Sequence, residues 1–169
     1  MKIYLGTDHA GFNLKEKLKV YLEELGLGYE VQDFGAFNFV EDDDYPDYVK
    51  KVAEAVAEGS ETEERRGIIL GGSGQGEAIC ANKITGIRAI VFYGQQEPVS
   101  DIDIGGQKSV DSFEIIKLAR EHNNANVLSL GSRFITEDEA KFAVELFLKT
   151  EFSKEERHIR RIKKLEPSN

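Results

Sequence analysis

The densest chemical signal in the chain is "LGGSGQGEAICANK" (70–83), with four glycines in the six residues 71–76. Glycines allow successive backbone N–H groups to point into one space, and a helix start adds partial positive charge. Such a loop is an anion cradle. It suits a phosphate or the oxygen of a developing enediolate. Glu77 follows Gly76 directly, so its carboxylate stands at the mouth of the cradle. There it can take a proton from a carbon next to a carbonyl. The same Glu is also an ordinary first-turn residue, and a helix N-terminus favours its charged form and weakens it as a base. Desolvation by a bound substrate would push the other way. Spacing alone leaves both readings open. Nucleotide fingerprints fail: neither Gly72 nor Gly74 starts a complete G-x-G-x-x-G, and no Gly-Lys-Ser/Thr is present.

Other reactive types lie at a few further points. "GTDHAGF" (6–12) sets Asp8 beside His9, an acid and an imidazole able to hold sugar hydroxyls or move protons. "AREHNNANVLSLGSR" (119–133) holds His122 at a helix end, where it also complements the helix dipole. The third and last histidine, His158, lies in "ERHIRR", within a basic helix-like tail that is either a solvated face or a source of arginines for a phosphate. No metal is expected, because the histidines lack compact ligand spacing.

These residues must be carried by elements, and the pattern is strand, helix, strand throughout. Strands are expected at 3–5, 29–34, 67–72, 88–93 and 126–131. Amphipathic helices are expected at 12–25 and about 46–58, with further helices at about 75–83, 113–122 and 136–150. Thr136 and Glu139 read as a capping box for the last of these. Alternation of this kind predicts an α/β fold, a Rossmann-like doubly wound parallel sheet of five strands with helices on both faces. Ligands in such sheets bind beyond the carboxyl ends of the strands. Residues 1–150 are expected to form the single domain, and 151–169 the basic helical tail. Two stretches stand apart. "EDDDYPDY" (41–48) reads as a solvated acidic loop, and 94–112 is longer than most connections.

The chain has 169 residues and a formal net charge of −9, which argues against a nucleic-acid partner. No apolar run approaches the ~20 residues needed to span a bilayer, so no membrane partner is expected. The one cysteine, Cys80, rules out an intrachain disulfide and fits a reducing, cytoplasmic setting.

Taken together, "GTDHAGFNLK" (6–15), "DYPDY" (44–48), "GGSGQGEAICANKITGIRA" (71–89), "AREHNNANVLSLGSR" (119–133) and "ERHIRRI" (156–162) resemble the ribose-5-phosphate isomerase B and galactose-6-phosphate isomerase family. The resemblance implies an enzyme without metal or organic cofactor that interconverts ribose 5-phosphate and ribulose 5-phosphate through an enediolate. It also implies a homodimer, or a dimer of dimers, with sites shared between two chains. His122 matches the ring-opening histidine, and Asp8 and His9 match residues at the two ends of the sugar. Tyr45 and Asn123 match substrate contacts, and Arg133, Arg157 and Arg161 match the phosphate grip. Gly72, Ser73, Gly74 and Gly76 match the loop that holds the enediolate. Many members carry a cysteine base where this chain has Gly71, and Cys80 is not that cysteine. A second branch has "GGSG-x-GE" and uses the Glu, which makes Glu77 the expected base. The long 94–112 connection has no counterpart in the usual pattern. Allose or galactose 6-phosphate is the alternative substrate, and a non-catalytic sugar-phosphate binder is the alternative function.

Overall fold

The computed structural model describes residues 1–59 and 63–165, and residues 166–169 of the expected tail lie outside them. Five strands form one parallel sheet: β1 (Lys2–Thr7), β2 (Glu30–Asp33), β3 (Arg65–Gly71), β4 (Ala89–Phe92) and β5 (Val127–Gly131), in the order β2-β1-β3-β5-β4. Between and after them run α1 (Phe12–Glu24), α2 (Pro46–Ala57), α3 (Gln75–Ala81), α4 (Glu114–Asn123), α5 (Glu137–Lys149) and α6 (Glu156–Lys163).

Side-chain alternation builds a core on each side of the sheet. Ile3, Leu5, Ile68, Leu70 and Leu128 point to one face, where Leu18 of α1, Ile116 of α4 and Phe147 of α5 cover them. Tyr4, Ile69 and Val127 point to the other and meet Val49, Val52 and Val56 of α2 and Ala81 of α3. The crossovers explain this division. Chain steps from β1 to β2 and from β4 to β5 move one way along the sheet; β2 to β3 and β3 to β4 move the other way. With right-handed crossovers, opposite steps place their helices on opposite faces.

Expected and observed boundaries agree within two residues, and the difference at the start of β3 is instructive. The strand begins at Arg65, ahead of the apolar run, because Arg66 is 1% exposed yet fully served. Its guanidinium donates to the Phe147 carbonyl and to Glu64. The capping box is present as expected: Glu139 N–H donates to Thr136 Oγ1 at 3.2 Å, and Thr136 N–H donates to Glu139 Oε2 at 2.8 Å. Pro46 opens α2 at its first turn, where its missing N–H costs nothing. The 94–112 connection has neither helix nor strand. It is tied across its neck by Gln96 N–H to the Ser112 carbonyl at 2.9 Å.

Candidate active site

The carboxyl ends of β1, β3 and β5 meet at one point. Ser132 N–H donates to the Gly71 carbonyl at 2.9 Å, and Arg133 N–H donates to the Gly72 carbonyl at 3.1 Å. Thr7 Oγ1 donates to the Leu70 carbonyl at 2.9 Å. The glycine loop turns at this junction. Gly74 has φ of +75°, a left-handed conformation that favours glycine, and Ser129 Oγ anchors its carbonyl at 2.6 Å. Ser73 is exposed, and its Oγ accepts from Gln75 N–H at 3.3 Å. Tyr45 and Arg133 flank the loop. A Cβ on Gly76 would lie 3.0 Å from the Tyr45 hydroxyl, and one on Gly72 would lie 3.2 Å from the Arg133 guanidinium carbon.

Glu77 is 5% exposed, with its carboxylate folded back beneath Gly71. A Cβ at position 71 would collide with that carboxylate, so a side chain there and Glu77 as placed exclude each other. The glycine at 71 is therefore a requirement of the glutamate at 77. Burial pushes the Glu77 carboxyl above the ordinary carboxylate range. Its own backbone N–H pulls it back, and the nearby charge of Asp8 adds to the rise. Desolvation thus outweighs the helix start, already without a ligand. Asp8 is raised too, by burial first, although Ala10 N–H donates to its Oδ1 at 2.9 Å.

Asp43 was not recognisable from the sequence. By sequence the acidic run containing it is a solvated loop, but the Asp43 side chain is only 8% exposed and serves His9. The His9 backbone N–H meets Asp43 Oδ1 at 2.8 Å, and His9 Nδ1 lies 2.9 Å from the same oxygen. This bond raises the His9 pKa, with Asp8 helping and the Arg133 charge opposing. Burial pushes the Asp43 carboxyl up, but the His9 donors outweigh it and hold it low. His9 consequently carries positive charge more readily and has its Nδ1 committed, leaving Nε2 to a ligand. The only sequence signal was an acidic run lying between β2 and α2. Among the described residues, the polar atoms of Asp8, His9 and Asp43 form one group within 4.8 Å. We read it as an acid–base cluster, because His9 Nδ1 is already bonded to Asp43.

The remaining expected site residues lie at the other end of the sheet. The carbonyl of Asn123 accepts from Arg88 Nε at 2.9 Å, just ahead of β4, and Asn126 N–H donates to the Arg88 carbonyl at 3.2 Å. That is the amino edge. His122 occupies the last turn of α4 there, and Asn123 is exposed. The buried His158 of α6 stacks on His122, with centroids 4.2 Å apart. Arg157 and Arg161, one turn apart, share a face of α6. The five residues of β5, roughly 16 Å of strand, separate this group from Glu77 in a single chain. The structure therefore brings together Asp8, His9, Tyr45, the 72–76 loop, Glu77 and Arg133. It does not bring His122, Asn123, Arg157 or Arg161 to them within one protomer. Cys80 is half-buried against the second core, and burial raises its thiol pKa, as befits packing rather than catalysis.

The sequence model of the ribose/galactose isomerase family matches residues 3–97 and 109–165, covering both groups. The chain belongs to the ribose/galactose isomerase family. The family match passes over residues 98–108, the middle of the long connection. Ribose-5-phosphate isomerase B of Mycolicibacterium paratuberculosis is 40% identical over 163 residues, 96% of this chain and 87% of that protein. The structure of ribose-5-phosphate isomerase B from Clostridium thermocellum superposes with a TM-score of 0.79 at 40% identity, covering 98% of this chain and 95% of that one. The family's Mycoplasma genitalium member, solved with bound ribulose-5-phosphate, gives a TM-score of 0.80 at 34% identity over 97% and 93% of the two chains.

Proposed function

We propose that this protein is an aldose–ketose isomerase that interconverts ribose 5-phosphate and ribulose 5-phosphate by proton transfer through an enediolate. One observation carries the reading: a desolvated Glu77 carboxylate of raised basicity lies against a glycine loop, in space that any side chain at position 71 would fill. A base in that setting removes the proton from carbon 2 and returns it to carbon 1. Amides of the 72–76 loop, with Ser73, hold the oxygen that becomes negative. A single donor of that kind is worth about 3 kcal/mol. Asp8 accepts from the anomeric hydroxyl, and Tyr45 lines the sugar. His9, whose charged form Asp43 favours, and Arg133 attract the phosphate.

Ring opening and the rest of the phosphate grip are assigned to His122, Asn123, Arg157 and Arg161 of a second copy. Their place at the amino edge of the sheet supports a homodimer, or a dimer of dimers, in which each protomer completes its neighbour's site. In this reading residues 1–150 form the isomerase domain and 151–169 the tail that delivers the arginines. No metal or organic cofactor enters the reaction. A cytoplasmic setting suits a metabolic enzyme with one unpaired cysteine, and among the described residues no helix is long and apolar enough to cross a membrane.

The test is a panel of five- and six-carbon sugar phosphates assayed with a chelator present. Turnover of ribose 5-phosphate, unchanged by the chelator, is expected. Turnover confined to a six-carbon sugar phosphate would transfer the assignment to that substrate. Glu77→Gln should still bind ribose 5-phosphate while exchange of the carbon 2 proton with solvent deuterium falls about 10²–10⁴-fold. Undiminished exchange would remove Glu77 from the role.

A further inference from the structure

His158 is a buried imidazole that the reaction above does not use. It is 2% exposed, the third residue of α6, and it touches two groups the proposed reaction needs. Its ring lies on that of His122, with centroids 4.2 Å apart and planes inclined by 11°. Its Nε2 accepts from Arg157 Nε at 3.1 Å. A ring nitrogen that accepts carries no proton, so the proton sits on Nδ1 and the ring is neutral. Burial, followed by the nearby His122 and Arg157, pushes its pKa down, in keeping with that state.

The same contact fixes Arg157. Its Nε is also 2.8 Å from Glu155 Oε2, while among the described residues its terminal amino groups make no hydrogen bond. Those two amino groups are the pair that grips phosphate oxygens in parallel. His122 gains in the same way. Stacking restricts rotation of its ring and leaves its two nitrogens at the edge, where a sugar ring oxygen can be reached.

We propose that His158 is a positioning residue that sets the plane of His122 through its face and the direction of Arg157 through Nε2. Ring opening and phosphate binding are thereby held in one rigid unit. The assignment rests on the isomerase reading above. A mere filler between α4 and α6 would do neither job separately, and that difference is measurable.

Two variants divide the functions. His158→Phe keeps a flat ring on His122 but offers Arg157 no acceptor. Its KM for ribose 5-phosphate and its inhibition constant for inorganic phosphate should both rise about tenfold, the worth of one charge-assisted hydrogen bond, with kcat little changed. His158→Gln keeps an acceptor and loses the stack. Its kcat from ribose 5-phosphate should fall roughly three- to tenfold at near-constant KM. Because the overall equilibrium constant is fixed, kcat/KM from ribulose 5-phosphate should fall by the same factor. Thermal melts establish that each variant folds. Should His158→Gln fail to fold, His158→Phe is measured in an Arg157→Ala background, where its effect on phosphate inhibition should vanish. Parallel losses in kcat and KM in both variants, wild-type constants in both, or an effect of His158→Phe that persists without Arg157 would each overturn the proposal. A wild-type enzyme inactive on every sugar phosphate would overturn the isomerase reading itself, and this one with it.

Discussion

At Glu77 three residue-scale effects compete for one proton. Burial and the charge of Asp8 favour the protonated carboxyl, and the N–H of the first helical turn favours the carboxylate. The sum is a raised pKa, and its sign reaches stability as well as catalysis. Between the unfolded value, about 4.3, and the higher folded value, the native state binds more protons than the unfolded chain. Stability therefore falls as pH rises through that window, and the full cost is present above the folded value. Glu77→Gln carries no charge to desolvate. It should be more stable than the wild type at neutral pH, with the difference vanishing below about pH 4. Denaturant midpoints at several pH values check this. With Glu77 as the proposed base, stability gained on losing it is the trade-off that burying a charged group for chemistry entails.

Among the elements, α5 shows how far local chemistry reaches. Thr136 and Glu139 exchange backbone and side-chain hydrogen bonds, and both groups lie near solvent. Thr136→Ala should cost about 1 kcal/mol, seen as a melting temperature lower by about 2–4 °C. Activity should be retained, since α5 carries no site residue. The start of β3 shows the opposite case. Nothing local announces that Arg65 and Arg66 belong to a strand; the Phe147 carbonyl, from α5, makes Arg66 tolerable in the core. Likewise Asp43 looks like one acid among several until His9, 34 positions away, is folded against it.

For the whole molecule, the decisive fact is that the expected site residues occupy both ends of the sheet. If two copies complete each other, an inactive Glu77→Gln protein and an inactive His122→Asn protein should restore activity when unfolded together and refolded. Random pairing makes half the dimers mixed, and each mixed dimer holds one intact site of two. About a quarter of the wild-type specific activity is expected. Recovery of none, with mixed dimers demonstrated by mass spectrometry, would mean that each chain works alone.

Sequence alone determined the strand–helix alternation, the capping box, the glycine loop and the carboxylate beside it. These rest on periodicity, on turn chemistry and on residues a few places apart. The family resemblance carried by the quoted motifs also named both groups of site residues. Only the tertiary structure decided that β5 lies between β3 and β4, that Asp43 holds His9, and that Gly71 leaves room for Glu77. The His122–His158 stack, and the distribution of the candidates over two ends, were decided there too. The reason is common to all of these. Each depends on burial and contact between segments distant along the chain, and those energies do not exist until the crossovers have brought the segments together.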